Sequence, residues 1–389
     1  ISPDGKFAYA THILGRYQMP TTQLERGWMN TNALSIVQIA EQRLVNSVLL
    51  DDVDLGAANP WGVACSADGR FICVAHAGTH EISLIDAAKL HERLDKVASG
   101  VPVTEVSQKP EDVPNDLSFL VGIRQRVHLP GNGPRGIACA GNSVFAAQYF
   151  TDNLGVVDLS PDARLKAQAI ALGPEKEISV VRKGEMFFND AGLCFQHWQS
   201  CESCHPDARS DALNWDLLND GMGNPKNSKS MLYAHRTPPS MSLGIRDNAE
   251  TAVRAGIKFI QFAVRPEEDA KAIDEYLKAL TPVASPYAGE AAQRGKAVFE
   301  QAGCLQCHVE PLGTDLHSYE VGTETEMDKK PFDTPSLTEV WRTAPYLHDG
   351  RATTIMNVLT TFNKGDKHGK TSNLSQDQLK DLAAFVLSY

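Results

Sequence analysis

The sequence predicts a multidomain protein with an all-β N-terminal part and two all-α domains in its C-terminal half. Short apolar runs separated by Gly, Asp and Asn turns fill residues 1–180. Beyond them, apolar residues recur at the three- and four-residue spacing of amphipathic helices. A short motif of cysteines and histidine occurs twice in this helical half. We therefore expect three regions, at residues 1–180, 181–283 and 284–389.

Length and charge exclude several classes of protein. The chain has 389 residues, of which 42% are hydrophobic, and this is enough for several buried cores. Its formal net charge of −11 argues against nucleic-acid and anionic-membrane partners, because both recruit proteins through clustered Lys and Arg. The sequence has no apolar run long enough for a membrane span. It starts at Ile1 without a signal peptide, so we expect a removed signal or a fragment.

One sequence phrase recurs in the N-terminal part, with the pattern of a strand, a Gly-bearing or Asn-bearing turn and a second strand. Its copies occupy residues 2–10, 62–76 and 136–148. A further apolar strand follows each copy, at residues 33–37, 81–86 and 154–158. Such repeats stack as radial sheets, because no single unit can cover its own apolar face. The phrases resemble the YVTN-type β-propeller repeat, and three blades cannot close a ring, so this resemblance implies further blades upstream. A small β-sandwich is the alternative.

Four segments of the C-terminal half have the apolar spacing of helices. They are residues 182–195, 267–280, 292–302 and 376–387. Residues 281–289, TPVASPYAG, have the composition of a linker. Each predicted domain therefore has one helix before the repeated motif and one after it. Gly184 and Gly295 lie in the first helix of each pair, where we expect them to allow a close helix crossing.

The repeated motif is Cys-x-x-Cys-His. Its residues are Cys201, Cys204 and His205 in the first copy, and Cys304, Cys307 and His308 in the second. A haem c group needs two thioether anchors on one edge and a nitrogen ligand normal to the ring, and this motif supplies both from a single turn. We therefore predict two covalently attached haem c groups with His205 and His308 as proximal iron ligands. The alternative is a zinc site or a redox-active dithiol.

The chemistry of haem attachment also predicts where the protein resides. Attachment is completed outside the cytoplasmic membrane, so we expect a periplasmic or extracellular protein. The other cysteines are Cys65, Cys73, Cys139 and Cys194. They are interpreted either as buried free thiols or, for Cys65 and Cys73, as a disulfide across the predicted hairpin turn that they flank.

Further phrases of the helical half resemble the bacterial di-haem cytochrome c peroxidase family, with its related tryptophylquinone-maturing enzymes. They lie at residues 184–190, 200–205, 236–241 and 334–351. The resemblance implies an oxidoreductase whose second haem takes electrons from a protein such as a small cytochrome or cupredoxin. It implies that the first haem reacts with peroxide or a related small oxidant. It also implies a calcium ion between the haems.

Two positions depart from the family pattern. Family members carry a Met or Tyr as sixth ligand of the second haem, where this chain has Phe362, which cannot coordinate iron. His368 and Met356 are the candidate replacements. The family's acid–base Glu aligns with Thr251, and Glu250 stands one residue before it. Glu250 is therefore the catalytic candidate, with an exposed surface Glu as the alternative.

Other candidates come from histidines and tryptophans of the same region. By resemblance, His348 lies near the second haem, where we expect it to bond a propionate. His235 lies where a removable sixth ligand of the first haem would sit. The family's inter-haem Trp is not evident, because its segment is shortened here. The candidates for its role are Trp198, Trp215 and Trp341.

The sequence leaves three functions open. One is a peroxidase-like oxidoreductase with an open or openable position at the first haem. Another is a non-catalytic electron-transfer subunit, in which both haems are six-coordinate and the β-region is a docking surface. The last is long-range oxidation of a partner protein. We favour the first, as the resemblance to the family implies, and keep the other two as alternatives.

Overall fold

A computed structural model describes residues 1–19, 29–161, 165–174, 176–217, 222–328 and 330–389. The first eleven strands are β1 (Phe7–Gly15), β2 (Asn30–Gln38), β3 (Arg43–Leu49), β4 (Pro60–Cys65), β5 (Phe71–His76), β6 (Glu81–Asp86), β7 (Arg124–His128), β8 (Pro134–Ala140), β9 (Ser143–Gln148), β10 (Asn153–Asp158) and β11 (Ala167–Ala171). Four two-residue strands follow: β12 (Asn214–Trp215), β13 (Lys226–Asn227), β14 (Ser318–Tyr319) and β15 (Phe332–Asp333). The helices are α1 (Ala87–Ala98), α2 (Val180–Asn189), α3 (Ala249–Phe259), α4 (Glu267–Lys278), α5 (Glu290–Gln301), α6 (Ile355–Leu359) and α7 (Gln376–Leu387). A β-rich N-terminal region followed by helical haem-domain elements is therefore confirmed.

The strands of the N-terminal region form three antiparallel sheets. Their strand orders are β1-β2-β3, β4-β5-β6-β7 and β8-β9-β10-β11. The second and third sheets begin with the two later copies of the repeated phrase. Each continues with the predicted apolar strand and ends on a fourth strand, β7 or β11, that the sequence pattern did not indicate. Each sheet is therefore a meander of strands that are neighbours in the sequence.

Apolar side chains fill the spaces between these sheets. Leu34 and Ile36 of β2 lie in one core with Ile72 and Val74 of β5. The other core contains Cys73, Ile82 and Leu84 of the second sheet together with Val144 and Ala146 of the third. Each fully buried Leu, Ile or Val side chain stabilises the fold by about 1.5–3 kcal/mol. Both faces of the middle sheet are thus covered, which explains its nearly continuous apolar strands.

Helix α1 corrects the all-β prediction for the N-terminal region. It starts directly after β6, where the Asp86 side chain accepts a hydrogen bond from the Lys89 backbone N–H as an N-cap. Leu90, Leu94 and Val97 are its buried residues. Their spacing of four and three is the helical signal that the sequence carries here. The segment lies between β6 and β7, and the prediction of strands throughout residues 1–180 is therefore wrong here.

Cys65, Cys73, Cys139 and Cys194 are free thiols in the structure. The strand register places Cys65 opposite Ile72, so the adjacent Cys73 points to the other face of the sheet. The suggested Cys65–Cys73 disulfide is therefore wrong. The Sγ atom of Cys73 instead lies 3.7 Å from Sγ of Cys139 in the third sheet.

The predicted helices of the last domain are confirmed within about two residues. Helix α7 starts with a capping box, in which Ser375 and Gln378 exchange side-chain-to-backbone hydrogen bonds. A Cβ atom on Gly295 of α5 would lie 1.9 Å from the Asp381 carbonyl oxygen of α7. Next to this contact, the rings of Phe299 and Phe385 pack edge to face with centroids 5.1 Å apart. The predicted close crossing at Gly295 is thus correct.

The chain divides into two compact units. One comprises Ile1–Arg16, Gln23–Ser203 and Ile257–Arg265, and the other comprises Tyr17–Thr22, Cys204–Gly256 and Pro266–Tyr389. The predicted division into three regions stays a prediction. The boundary between the compact units falls between Ser203 and Cys204, inside the first motif, so these units do not correspond to the three regions. No helix among the described residues is long and apolar enough to span a membrane.

Candidate haem sites

The second Cys-x-x-Cys-His motif opens onto a cavity of about 410 Å³ in the helical unit. Cys304, Cys307 and His308 all line it. The side chains of Phe299 and Leu337 line it as well and belong to the hydrophobic core of this domain. Two thiols, one imidazole and an apolar wall are the donor set and surroundings that fit haem c.

His308 is oriented by the turn that follows the motif. Its Nδ1 atom lies 2.8 Å from the carbonyl oxygen of Gly313. A carbonyl oxygen can only accept, so Nδ1 carries the proton and Nε2 keeps its lone pair for a metal. Gly313 has a φ of 68°, and a Cβ atom there would lie 2.8 Å from that of Leu337. Gly is therefore required at the residue whose carbonyl holds the ligand.

His368 lies across the same cavity from the motif. The centroids of the His308 and His368 rings are 6.3 Å apart, with 35° between the ring planes. An imidazole nitrogen binds a transition metal at about 2 Å and lies about 1 Å from its ring centre, so two imidazoles on opposite faces of one metal have centroids roughly 6 Å apart. Burial and the neighbouring His308 lower the pKa of His368 to about 4. The imidazole is thus neutral and able to coordinate at ordinary pH.

The loop that carries His368 is fixed by Asn363. Its Oδ1 atom accepts the His368 backbone N–H at 2.8 Å. Its Nδ2 atom donates to the Gly369 carbonyl at 2.8 Å and to Thr371 Oγ1 at 2.7 Å. Asn363 is buried, with 6% of its surface exposed. This buried amide therefore binds the backbone at both His368 and Gly369 and so fixes the position of His368.

The alternative ligand Met356 has a different environment. It lies on α6, partly buried against the hydrophobic core formed by Leu359, Leu382 and their neighbours. Among the described residues, those lining the cavity include His368 but not Met356 or Phe362. The structure therefore brings His368, and not Met356, to the second haem motif.

In the first motif, His205 is oriented in the same way as His308. Its Nδ1 atom lies 3.0 Å from the Arg209 carbonyl oxygen, which leaves Nε2 with its lone pair. Arg209 is itself held by a buried bidentate ion pair with Glu339, at 2.7 Å and 3.0 Å. The Glu339 side chain is completely buried. Burial also lowers the pKa of His205, so its ring stays neutral.

Cys201 belongs to the other compact unit, because the division falls between Ser203 and Cys204. Its Sγ atom lies 3.3 Å from Nε2 of Gln261. Burial raises the pKa of this thiol to about 12. Phe195, whose backbone N–H donates to the Gln261 carbonyl at 2.9 Å, is 48% exposed. Phe262 follows Gln261 in the sequence and is 40% exposed, so two exposed apolar rings belong to the segments that Gln261 joins.

His235 is part of a chain of polar side chains in the helical unit that leads from buried residues to exposed ones. Its Nε2 atom lies 3.0 Å from Oδ1 of Asp274, and both side chains are 4% exposed. The second Asp274 oxygen accepts from Arg254 at 2.6 Å, and Arg254 also binds Glu267 at 2.5 Å. The Nδ1 atom of His235 is buried and has no hydrogen-bond partner. This nitrogen is the one available to a metal, a ligand or a proton.

Glu250 has a more open environment. It lies in the first turn of α3, and its side chain is 41% exposed. Its carboxylate is 3.7 Å from the Lys278 ammonium group, which also pairs with Glu275. Thr251 is exposed on the same helix. The structure therefore gives Glu250 the surroundings of a surface residue, as the alternative interpretation expected.

His348 is buried beside the second motif and lines its cavity. Its ring stacks on Phe332, with centroids 4.2 Å apart and 20° between planes. Its Nε2 atom lies 3.5 Å from Asp328, while Nδ1 is buried without a partner. Of the tryptophans, Trp198 and Trp215 are 1% and 4% exposed, and the buried indole N–H of Trp341 has no partner.

Sequence reasoning missed the residues that hold the ligands. Arg209 and Gly313 act through their backbone carbonyls, and Asn363 binds the backbone of the His368 loop through its side chain. Contacts to a backbone leave no chemical signature in a sequence. The weak signals were the short distances of Arg209 and Gly313 from their motif histidines, four and five residues respectively.

Comparison with known proteins supports haem c in this chain. The family model described as Cytochrome c matches residues 292–389, which contain the second motif and His368. The gamma subunit of hydrazine synthase from Kuenenia stuttgartiensis is 30% identical, and the match covers 53% of this chain and 76% of that subunit. The chain belongs to the family of this subunit.

Further proteins are also similar to this chain. The beta subunit of the same Kuenenia enzyme is 25% identical, with 41% of this chain and 40% of that subunit covered. The methylamine utilization protein MauG of Methylorubrum extorquens is 24% identical over 64% of this chain and 88% of its own length. Cytochrome-c peroxidases match as well. These relatives support a haem-based oxidoreductase of the peroxidase-like, di-haem class.

Proposed function

We propose that this chain is a di-haem c-type oxidoreductase in which the second haem transfers electrons and the first reacts with peroxide or a related small oxidant. The observation that carries the proposal is the pair of imidazoles, His308 and His368, facing each other across one cavity at 6.3 Å. When bound, haem c supplies an iron centre that gains and loses single electrons. The rest of the proposal concerns what the chain's residues do around it.

At the second site, two cysteines and two histidines would hold the haem: Cys304, Cys307, His308 and His368. Two imidazole ligands would favour electron transfer over binding of a substrate. His348 would donate a hydrogen bond to a propionate through one of its ring nitrogens. Its buried, unpartnered Nδ1 atom supports such a partner.

At the first site, Cys201, Cys204 and His205 would hold the haem. His235 would act on the opposite face through Nδ1, as a removable ligand or as the group that holds a proton. The hydrogen bond between Nε2 and Asp274, at 3.0 Å, fixes the orientation of the ring. Glu250 is the weaker candidate for proton transfer, because its carboxylate faces Lys278 at the surface.

Several further properties belong to the same proposal. The three stacked sheets would be part of a β-propeller, and the protein would be periplasmic or extracellular. Its electron donor would be a small cytochrome or cupredoxin. A calcium ion prefers oxygen ligands, and the buried Oδ1 atom of Asn214 has no partner. The described residues contain no cluster of three or more acidic, His or Cys side chains that could hold a metal ion.

Spectroscopy and turnover test this proposal on the purified holoprotein. A haemochrome assay should find two haem c per chain, and EPR should show one low-spin centre and one centre that changes when peroxide is added. Peroxide should oxidise a reduced small cytochrome catalytically, and His235→Gln should lower that rate by roughly 10-fold or more, while the exposed His317→Gln control should not. Two low-spin haems without any response to peroxide would support the electron-transfer subunit instead. Fewer than two haems would refute the proposal.

The comparisons favour one second candidate. Two different subunits of hydrazine synthase, gamma and beta, both match this chain. In this second candidate, the chain acts on nitrogen compounds instead of peroxide. Adding inorganic compounds with one nitrogen atom to the reduced protein and its native partners, with detection of hydrazine, tests this candidate. Peroxide turnover without any nitrogen–nitrogen product would reject it.

A further inference from the structure

A buried network in the β-rich unit reaches the turn that carries Cys201. Asn59 lies just before β4 and is 5% exposed. Its Nδ2 atom donates to Ser200 Oγ at 2.7 Å, and its Oδ1 atom accepts from Ser203 Oγ at 2.6 Å. Ser200 precedes Cys201 and Ser203 is the second variable residue of the motif. One amide side chain therefore binds both ends of the segment that contains the first haem anchor.

The turn itself is closed by the same two serines. Ser203 Oγ accepts the Ser200 backbone N–H at 3.0 Å, and the Ser203 N–H donates to the Ser200 carbonyl at 3.2 Å. Both residues are buried, at 4% and 6% exposure. Because these polar atoms are shielded from water, loss of a partner leaves them unsatisfied. The conformation around Cys201 thus depends on Asn59.

Asn59 is in turn fixed to the first sheet. Its backbone N–H donates to Oδ1 of Asn32 on β2 at 3.0 Å. The Asn32 side chain donates to Asp51 at 2.8 Å and to the Trp198 carbonyl at 3.3 Å. Asp51 is fully buried and also accepts the Ala57 backbone N–H. A continuous hydrogen-bonded chain therefore leads from the sheet to the haem-attachment turn.

The backbone makes a second connection at Gly56. Its N–H donates to the Gln196 carbonyl at 2.8 Å, and a Cβ atom there would lie 2.4 Å from the His197 carbonyl oxygen. Any side chain at this position would push the segment before Cys201 away from the β-region. The Asn59 side chain and the Gly56 backbone thus hold this segment against the sheets through two independent contacts.

We propose that Asn59 is a positioning residue for the first haem: through Ser200 and Ser203 it fixes the attachment turn, so that the β-rich region sets the geometry and reduction potential of that haem. This rests on the proposed function only in requiring that Cys201 anchors a haem. It assigns the β-rich region a role within the haem site itself. Hydrogen bonds that orient the groups holding a metal centre tune the reduction potential of that centre.

The test is an EPR-monitored redox titration of the holoprotein with Ser200→Ala, Ser203→Ala and the double variant. These changes remove the partners of Asn59 without disturbing its left-handed backbone, which has a φ of 54°. We expect a lower midpoint potential for the first haem, or loss of that haem alone, with the second haem unchanged. Water that reaches a loosened turn stabilises the more positively charged oxidised iron.

The matched control is Ser107→Ala, which removes a buried hydroxyl that donates to Asp116 at 2.7 Å in the same β-rich unit. Unchanged potentials in all three serine variants would overturn the inference, and so would equal shifts of both haems or an equal effect of the control. If a variant does not fold, the remaining single variant decides. A wild-type protein with only one haem would refute the proposed function, whereas two haems with unchanged potentials would refute only the role of Asn59.

Discussion

The two Cys-x-x-Cys-His sites use the same device on one face and differ on the other. His205 and His308 each donate from Nδ1 to a backbone carbonyl, at 3.0 Å and 2.8 Å. Opposite His308, a second imidazole is held within coordinating distance by a buried asparagine. In the domain of His205, the candidate His235 is instead tied to Asp274, with one ring nitrogen left over.

This difference teaches that the proximal motif does not decide what a haem does. Both motifs orient their histidine in the same way. Any difference in function between the two sites therefore has to come from the residues opposite these histidines and from the groups that hold those residues in place. A second fixed imidazole would prevent other ligands from binding to the iron. A histidine that is hydrogen-bonded to a carboxylate is suited to be a removable ligand or to transfer a proton.

The largest effect is expected from His368→Ala. Removal of this imidazole should convert the second haem from low-spin to high-spin and allow it to bind cyanide or carbon monoxide. Visible and EPR spectra of the oxidised and reduced protein measure this change. The control is His317→Ala, since that side chain is 75% exposed. A second haem that stays low-spin in His368→Ala would show that another residue is the ligand.

Breaking the support of the first site should have the next largest effect. Glu339→Ala leaves the buried Arg209 without its counter-charge, which we expect to cost about 3–5 kcal/mol of unfolding free energy. Guanidinium unfolding followed by haem absorbance measures the loss. The control Asp381→Asn breaks the exposed pair with Arg294 and should cost less than about 1 kcal/mol. Equal losses in both variants would mean that the Arg209–Glu339 pair has no special role.

A smaller change is expected from Asn363→Ala. It removes the amide that holds the His368 loop, and unsatisfied buried groups of this kind cost about 1–3 kcal/mol. We expect a mixture of low-spin and high-spin signal at the second haem that shifts toward high-spin on warming. Asn357→Ala, which removes contacts to the exposed Thr353 and Thr354 hydroxyls, is the control. A pure low-spin spectrum at all temperatures would contradict the role of Asn363.

Much of this architecture could be predicted from the sequence. Whether a given feature could be predicted depends on whether local spacing or contacts between distant residues determine it. The haem anchors and the helices at Gly295 depend on local spacing, which a sequence displays directly. Helix α1 was missed although Leu90, Leu94 and Val97 display its period, because flanking strands dominated the interpretation. The Arg209–Glu339 pair joins residues 130 positions apart, and only the fold brings them together. The position of Phe362 predicted a replaced ligand, but choosing between Met356 and His368 required the cavity.

The smallest effect is expected from Glu250→Gln, and it separates the two candidates for proton transfer in the first domain. The Glu250 side chain is 41% exposed and its carboxylate pairs with Lys278 at the surface, so neutralising it should change peroxide turnover by less than about 2-fold. Glu275→Gln is the matched control, because Glu275 binds the same lysine at 3.2 Å and is 47% exposed. A turnover loss near that of His235→Gln, absent from the control, would move the acid–base role from the buried His235–Asp274 pair to α3. Equal, small changes in both glutamate variants leave His235 as the titratable group whose buried nitrogen has no other partner.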